Sequence, residues 1–520
     1  MLGISDLFLY KRGSVKKKFV VIGLIVVSLA GLGVWAQSNN LYQLLRTFGQ
    51  VLKLVQENYV QEVDSSELVR SAIKGMLSKL DPHSTYLTQH DYRELQIHTQ
   101  GKYGGLGFVV SKVDNAITVI SPFEGTPAER AGLQPGDRIV KIDGVLTLGM
   151  EVDEAVSKMR GAPGTPVTLT IEREGIEEPI DFYLTREIIE LKNVQYAGLI
   201  QPNVGYIRLS GFSEGAGEEV RLAVDSLLAH GARKFLLDLR ANPGGLLNEA
   251  VNVVDNFLPP GRVVVSTKGR APRANRDFYS TSKTKTHGLP IIVLVDGASA
   301  SASEIVAGAV QDWDIGLIVG DTTFGKGSVQ TVLPIEAGEA VKLTTARYYI
   351  PSGRCIDMGD TSRFLLRNPT LGKKFTSVGG LGREFESHGS IVPDVVLESV
   401  EMPSIIADIQ RSGLFMQYTS KYAREHSNLK RRFEVDSLML GDFRSFLKKK
   451  EMKFSEAEFD SGGEAIKKTL KSMIAEDMWG TEGKYEVLLS EDPWVQASIE
   501  LLSKASSDTD LFRIAGVTKK

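Results

Sequence analysis

The sequence predicts a multidomain α/β protein: a mixed-sheet core, a small β domain inserted ahead of it, and helical extensions at both ends. Three observations lead there. Short apolar runs alternate with helical patterns between about residues 187 and 400. Glycine-punctuated alternating runs replace them over 99–186. Residues 38–98 and 401–520 carry apolar residues at helical spacing. The 520 residues are also too many for one core.

Composition narrows the function classes. The chain is 42% hydrophobic and 24% charged, as in ordinary globular proteins, so wholesale disorder is not expected. A net charge of −3 gives no global basic field, and nucleic acid is not an expected partner. The lone cysteine, Cys355, excludes an intrachain disulfide and a multi-cysteine metal site. No metal or cofactor is expected, and Cys355 reads as a buried thiol.

The N-terminus carries a basic cluster, Lys11, Arg12, Lys16, Lys17 and Lys18, followed by the uncharged, mostly apolar run Phe19–Ala36. That run is about long enough to span a membrane, and the preceding positive charge places residues 1–18 in the cytoplasm. A cleaved signal peptide has the same layout, and Val34-Trp35-Ala36 is tolerable for cleavage, with a retained anchor slightly ahead. The expectation is a single-pass protein of the bacterial inner membrane with periplasmic catalytic domains, or a periplasmic one if the segment is cleaved.

Residues 38–98 read as a helical cap. Leu41, Leu44, Leu45, Phe48, Leu52 and Val55 recur at helical spacing, and a second pattern over Glu67–Leu80 stops at Asp81-Pro82. His83 sits in this breaker and reads as part of a structural turn.

Over 99–186, Gly104-Gly105-Leu106-Gly107-Phe108 precedes a β-like run, Val109–Val113. Gly125-Thr126-Pro127-Ala128 and Ala131-Gly132-Leu133-Gln134-Pro135-Gly136-Asp137 follow, with a helical Val152–Met159 further on. Successive backbone N–H groups at glycines can cradle a carboxylate, and the next strand can take a peptide by strand addition. This stretch resembles a PDZ domain. The Gly105, Leu106, Gly107, Phe108 loop matches that family's site for substrate C-termini.

The chemistry concentrates in the third region. Val295-Asp296-Gly297-Ala298-Ser299-Ala300-Ser301-Ala302-Ser303-Glu304 leaves an apolar run, crosses a small-residue turn and enters a helix. A nucleophile there sits at a helix N-terminus, where the dipole and free N–H groups favour developing negative charge. A Ser/Ala-rich N-cap explains the same residues. Thr322-Thr323-Phe324-Gly325-Lys326-Gly327-Ser328-Val329-Gln330 holds a lysine between glycines, one helix and one strand later. Leu237-Asp238-Leu239-Arg240-Ala241-Asn242-Pro243-Gly244-Gly245 is another strand entering a turn, whose N–H groups suit an oxyanion.

Together these residues resemble the C-terminal processing peptidases, or tail-specific proteases. The resemblance covers about residues 65–357 and the vicinity of Ser390–Val396. It implies a crotonase-like, mixed-sheet protease core with an inserted PDZ β-barrel domain. It also implies a Ser301 nucleophile, a Lys326 general base and a Gln330 that orients the lysine. Oxyanion donors would be backbone amides of Ala302 and of Gly244 or Gly245, and Asp312 would hold a supporting or structural position. The implied activity is endopeptidase cleavage of envelope proteins recognised by their C-terminal tails.

The chain departs from simpler relatives by an insertion between Asp357 and Ser390 and by the tail after residue 400. The first would shape a substrate channel. Packing on the core, a homo-oligomer interface and an adaptor site are all open for the second. Competing readings are a catalytically silent PDZ scaffold, a crotonase-like acyl-CoA enzyme and a Ser-His-Asp triad. The last must draw on seven histidines, none in a comparable motif.

Overall fold

The computed structural model describes residues 40–282, 284–358, 368–398 and 402–517. They divide into two compact units, one ending at Tyr86 and one beginning at Leu87.

In the first unit, residues 40–58 form one helix and Ser65–Leu77 a second. Asp64 caps the second by accepting the N–H of Ser66 at 2.8 Å. The breaker after it is a side-chain-capped turn. The Asp81 carboxylate takes the N–H groups of His83 and Ser84, each at 2.8 Å, and the Ser84 hydroxyl at 2.6 Å.

The second unit is built on a six-stranded sheet. Its order is Val194–Gln201, Val204–Leu209, Lys234–Asp238, Ile291–Val295, Leu317–Gly320, Val395–Val396. The first pair is antiparallel and all others are parallel. Parallel strands need cover on both faces, and the alternation of side chains shows it. Ile291, Val293 and Val295 point into a cluster shared with helices Ala216–Ala229, Leu247–Val254 and Ala302–Asp312. Ile292 and Leu294 point into another, closed by Trp494, Val495, Leu502, Leu511 and Phe512. The last helices, Pro493–Lys504 and Asp508–Ile514, are thus a layer of this sheet. Buried Lys234 ties them down, its Nζ donating to the Leu502 carbonyl at 2.6 Å. Residues 405–487 hold their own aromatic-rich cluster, including Phe415, Phe443 and Phe459.

A second, antiparallel sheet contains Val263–Lys268, Arg276–Tyr279, Ser328–Pro334 and Ala340–Tyr349. The β domain has strands Phe108–Val113, Ala116–Pro122, Arg138–Ile142, Pro166–Glu172 and Ile180–Thr185 in that spatial order, with helix Val152–Met159. It joins the core through a two-stranded ribbon, Lys102–Gly105 against Glu187–Glu190.

The insertion after Asp357 returns as a hairpin, Lys374–Thr376 with Glu384–Glu386. A buried ion network holds it. Arg383 pairs with Asp314 at 2.7 Å and Asp394 at 2.6 Å, and Arg354 and Arg383 both lie over the Phe385 ring.

The expectation of a single-pass inner-membrane protein is corrected here. Among the described residues no helix is long and apolar enough to cross a membrane. The longest helical stretch, Gly463–Ser490, is broken at Gly480, and Lys467, Lys468, Lys471, Glu482 and Glu486 stud its length. The basic cluster and the Phe19–Ala36 run lie outside the described residues.

Candidate active site

Three loops leave the carboxyl edge of the parallel strands side by side: 239–246, 296–301 and 321–327. Polar groups lash the first two together. Asp296 takes the N–H of Ala241 at 2.9 Å and that of Ala298 at 3.0 Å. Ser299 donates through Oγ to the Leu239 carbonyl, and Ser303 to the Asn242 carbonyl, each at 2.9 Å. Both serines are fully buried, whereas Ser301 between them is half-buried. Ser301 stands at the N-cap of helix Ala302–Asp312 with φ 57° and ψ −111°, a conformation costly for a non-glycine residue.

Gly244 lies against this elbow. Its φ is +95°, and a Cβ there would stand 2.6 Å from the Ala300 carbonyl, 2.8 Å from the Ala302 nitrogen and 2.8 Å from the Ser301 Cβ. Only glycine fits. The Gly244 N–H donates to Asn242 Oδ1 at 2.9 Å. Gly245 forms a parallel bridge with Phe212, whose carbonyl accepts the Leu246 N–H at 2.8 Å. Ala302 and Gly244 therefore meet beside Ser301, with Gly245 next along the chain.

Lys326 arrives on the third loop. Glu304, fully buried, accepts the N–H of Ser301 at 2.8 Å, that of Gly325 at 2.7 Å, that of Lys326 at 2.9 Å and the Thr323 hydroxyl at 2.6 Å. Burial holds its pKa above the ordinary carboxylate value, and these donors offset that rise only in part. Tyr348, also buried, brings its phenol oxygen to 3.1 Å from the Ser301 carbonyl and 2.5 Å from the Lys326 carbonyl. One carboxylate and one phenol thus bind the serine and lysine loops as a unit. The Lys326 ammonium is shifted towards its neutral form by burial and by repulsion from Lys342, with Glu304 opposing.

Two further expected residues have their own partners. Asp312 ends the 11-residue helix that Ser301 begins, about 16 Å along it. It pairs with Arg354 at 2.6 Å and takes the Ser352 N–H at 2.8 Å, a structural position. Gln330 donates through Nε2 to the Ser328 Oγ at 2.8 Å and its carbonyl at 3.1 Å. The same Nε2 lies 3.5 Å from the Thr344 hydroxyl, on the neighbouring strand.

In the β domain, the Leu106 carbonyl accepts the N–H of Ala128 at 3.0 Å. The Gly107 carbonyl accepts that of Phe123 at 2.8 Å and the Thr126 hydroxyl at 2.9 Å. With φ +81°, Gly107 turns the loop where a Cβ would stand 2.4 Å from the Thr126 side chain. Phe108–Val113 is an edge strand, and Phe108 and Val110 are half-buried, as are Val152 and Val156 of the helix beside it. An unpaired edge flanked by an apolar groove is the geometry of strand addition.

Comparison with known proteins bears on this arrangement. The chain matches Peptidase family S41 over residues 203–361, a PDZ domain over 118–173 and the activating protease CtpB N-terminal domain over 34–91. Residues 405–480 match a family of unknown function. The chain is 42% identical over 373 residues to the carboxy-terminal-processing protease of Bartonella bacilliformis, covering 70% of this chain and 85% of that one. It belongs to the carboxy-terminal processing protease family. The carboxy-terminal processing protease CtpA of Bacillus subtilis is 36% identical over 303 residues, 58% of this chain and 64% of that one. The solved photosystem II D1 C-terminal processing protease is 26% identical, covers 70% of this chain and 95% of that one, and has a TM-score of 0.37.

As a carboxy-terminal processing protease, the chain is a serine-type endopeptidase with a PDZ domain. Sequence reasoning missed two residues of its site. Glu304 looks like an ordinary first-turn acid, and Tyr348 lies on a strand with no motif around it. The spacing Ser301-x-x-Glu304 at a helix start, a capping-box signature, was the one available signal for Glu304.

Proposed function

We propose that this protease reads the C-terminal tail of a protein through its PDZ domain and cleaves the chain with a Ser301–Lys326 dyad. The observation that carries this is the Glu304 carboxylate, which accepts backbone N–H groups from both residues and keeps the two loops in register. Neutral Lys326 takes the proton from the Ser301 hydroxyl as its oxygen attacks the peptide carbonyl. The tetrahedral oxyanion is met by the N–H groups of Ala302 and Gly245. Between the two glycines, Gly245 is favoured because the Gly244 N–H is spent on Asn242. Collapse expels the amine, which takes its proton from the Lys326 ammonium. The acyl-enzyme is then hydrolysed by water, with Lys326 again as base. Gln330 would orient the lysine through its amide oxygen, while its Nε2 stays on Ser328. The parallel order of the core strands with helices on both faces supports a crotonase-like core over 187–400, and the ribbon at 102–105 and 187–190 marks out a PDZ insertion over 99–186.

The Ser301→Ala and Lys326→Ala variants test this directly. Each abolishes hydrolysis while thermal melts and circular dichroism stay those of the parent, because the two act as one unit. If either keeps most of its activity, the dyad is misassigned. A serine-directed probe that labels the parent but not Ser301→Ala separates the enzyme from a silent scaffold.

A further inference from the structure

We propose that Asp492 and Trp494 are positioning residues for the oxyanion turn, acting through Arg240. The proposal rests on the reading of the 242–245 turn as the oxyanion hole.

Arg240 is the residue from which that turn departs. It is followed by Ala241, held at φ +51°, and by Asn242, which is fully buried. A strained turn keeps its shape only when its ends are over-determined. One end is fixed at Phe212 and Asn242. The other is held at Ala241, whose N–H meets Asp296, and at Leu239, whose carbonyl meets Ser299, and between them stands Arg240, whose guanidinium has two carboxylate partners. Asp238, at the end of its strand and fully buried, takes Nη2 at 2.6 Å and also the Arg240 N–H at 2.9 Å. The second partner is Asp492, at 2.8 Å from Nη1.

Asp492 is itself fixed. It caps helix Pro493–Lys504, accepting the N–H of Trp494 at 2.9 Å and of Val495 at 3.1 Å. The Trp494 ring lies 5.7 Å from the Arg240 guanidinium, and its indole N–H donates to the Glu398 carbonyl at 3.1 Å. The same ring packs on Gly320, where a Cβ would stand 2.9 Å from it, and Gly320 pairs with Val295, the residue before Asp296. The start of one C-terminal helix therefore braces both loops that converge on Ser301. Nε and Nη2 grip Asp238 while Nη1 reaches Asp492, so a planar cation is clamped along two edges, and without Asp492 only the Asp238 edge is held. Asp492 and Trp494 lie past residue 480, where the last matched family segment ends.

The test is made on the full chain with a peptide boronate, whose tetrahedral adduct on Ser301 places an oxygen where the oxyanion forms. Active sites are first counted with a serine-directed probe, so that a smaller folded fraction is not read as a slower enzyme. Asp492→Asn is expected to lower kcat per counted site by roughly tenfold, to leave KM within about twofold, and to weaken the boronate by a similar factor. Asp492→Glu recovers part of both losses. Should Asp492→Asn fail to fold, Trp494→Phe is the second variant: kcat per site and boronate affinity must fall together, by about threefold. Unchanged values in a folded variant, or a loss confined to the count of active sites, overturn the proposal. Gly244→Ala probes the turn itself. If it weakens the boronate and Asp492→Asn does not, the brace alone fails; if neither does, the oxyanion reading fails with it.

Discussion

The N–H of Lys326 donates at 2.9 Å to the same Glu304 oxygen that accepts the N–H of Ser301 at 2.8 Å. A carboxylate offers acceptors only, so all four of its donors are matched. An amide is not equivalent, because its NH2 faces donors. Glu304→Gln should therefore leave buried N–H groups unmatched, at about 1–3 kcal/mol each, and lower activity by on the order of a hundredfold. The residual activity should respond to pH in a defined sense. Without the Glu304 charge Lys326 loses its proton more readily, so the rising limb moves to lower pH. A pH–rate profile of the variant, normalised to labelled serine, checks both.

Lys342 supplies the opposite lever. Its charge disfavours the ammonium form of Lys326, in the same direction as burial. The parent's activity should rise with pH through an apparent pKa below the roughly 10.4 of a free lysine. Lys342→Ala removes the repulsion, lets Lys326 hold its proton to higher pH and shifts that limb upward. A limb that stays in place, or one centred near the ~6.5 of an unperturbed histidine, contradicts a lysine base.

Tail reading should depend on a free carboxylate. The glycine-rich loop offers backbone donors and an apolar groove formed with Val152 and Val156. A substrate with an amidated C-terminus should be cut roughly tenfold more slowly than its free-acid twin. Gly107→Ala, which meets both a left-handed backbone and Thr126, should erase that difference while short peptides are still cut. Paired progress curves for the two substrates, with both enzymes, make the comparison.

Asp312 belongs to stability. Asp312→Ala strands the Arg354 guanidinium, 2% exposed, without its carboxylate. Breaking such a buried pair costs about 3–5 kcal/mol. Thermal unfolding should shift markedly, while the pH profile of the enzyme that remains folded keeps the parent's midpoint.

Much of the core was legible because its strands are buried on both faces. Ile291–Val295 is a continuous apolar run and Val204–Leu209 is broken only by Arg208, so both read as strands. The second sheet was not legible. Ser328–Pro334 and Arg276–Tyr279 are short, half-exposed and mixed in polarity, so their pairing is decided by partners far along the chain. The site divides the same way. Ser301, Lys326 and the two glycines sit in motifs with unusual local composition. Glu304, Tyr348 and Asp492 have ordinary neighbours, and they matter through what folding brings to them. The last helices read as an appendage because helical spacing identifies an apolar face without saying what covers it. Leu502 and Phe512 turn out to close one side of the central sheet.

The ribbon that carries the PDZ domain pairs Lys102 with Glu190, so the chain leaves the core and re-enters it on adjacent strands, about 5 Å apart. A domain whose two ends lie side by side is a cassette. It can be lifted out and the gap bridged by a short turn, or another tail reader with neighbouring termini can be spliced in. Either exchange leaves Glu304 and the loops it joins untouched. What the enzyme selects and how it cuts are then separable parts, and a change of diet needs no change of teeth.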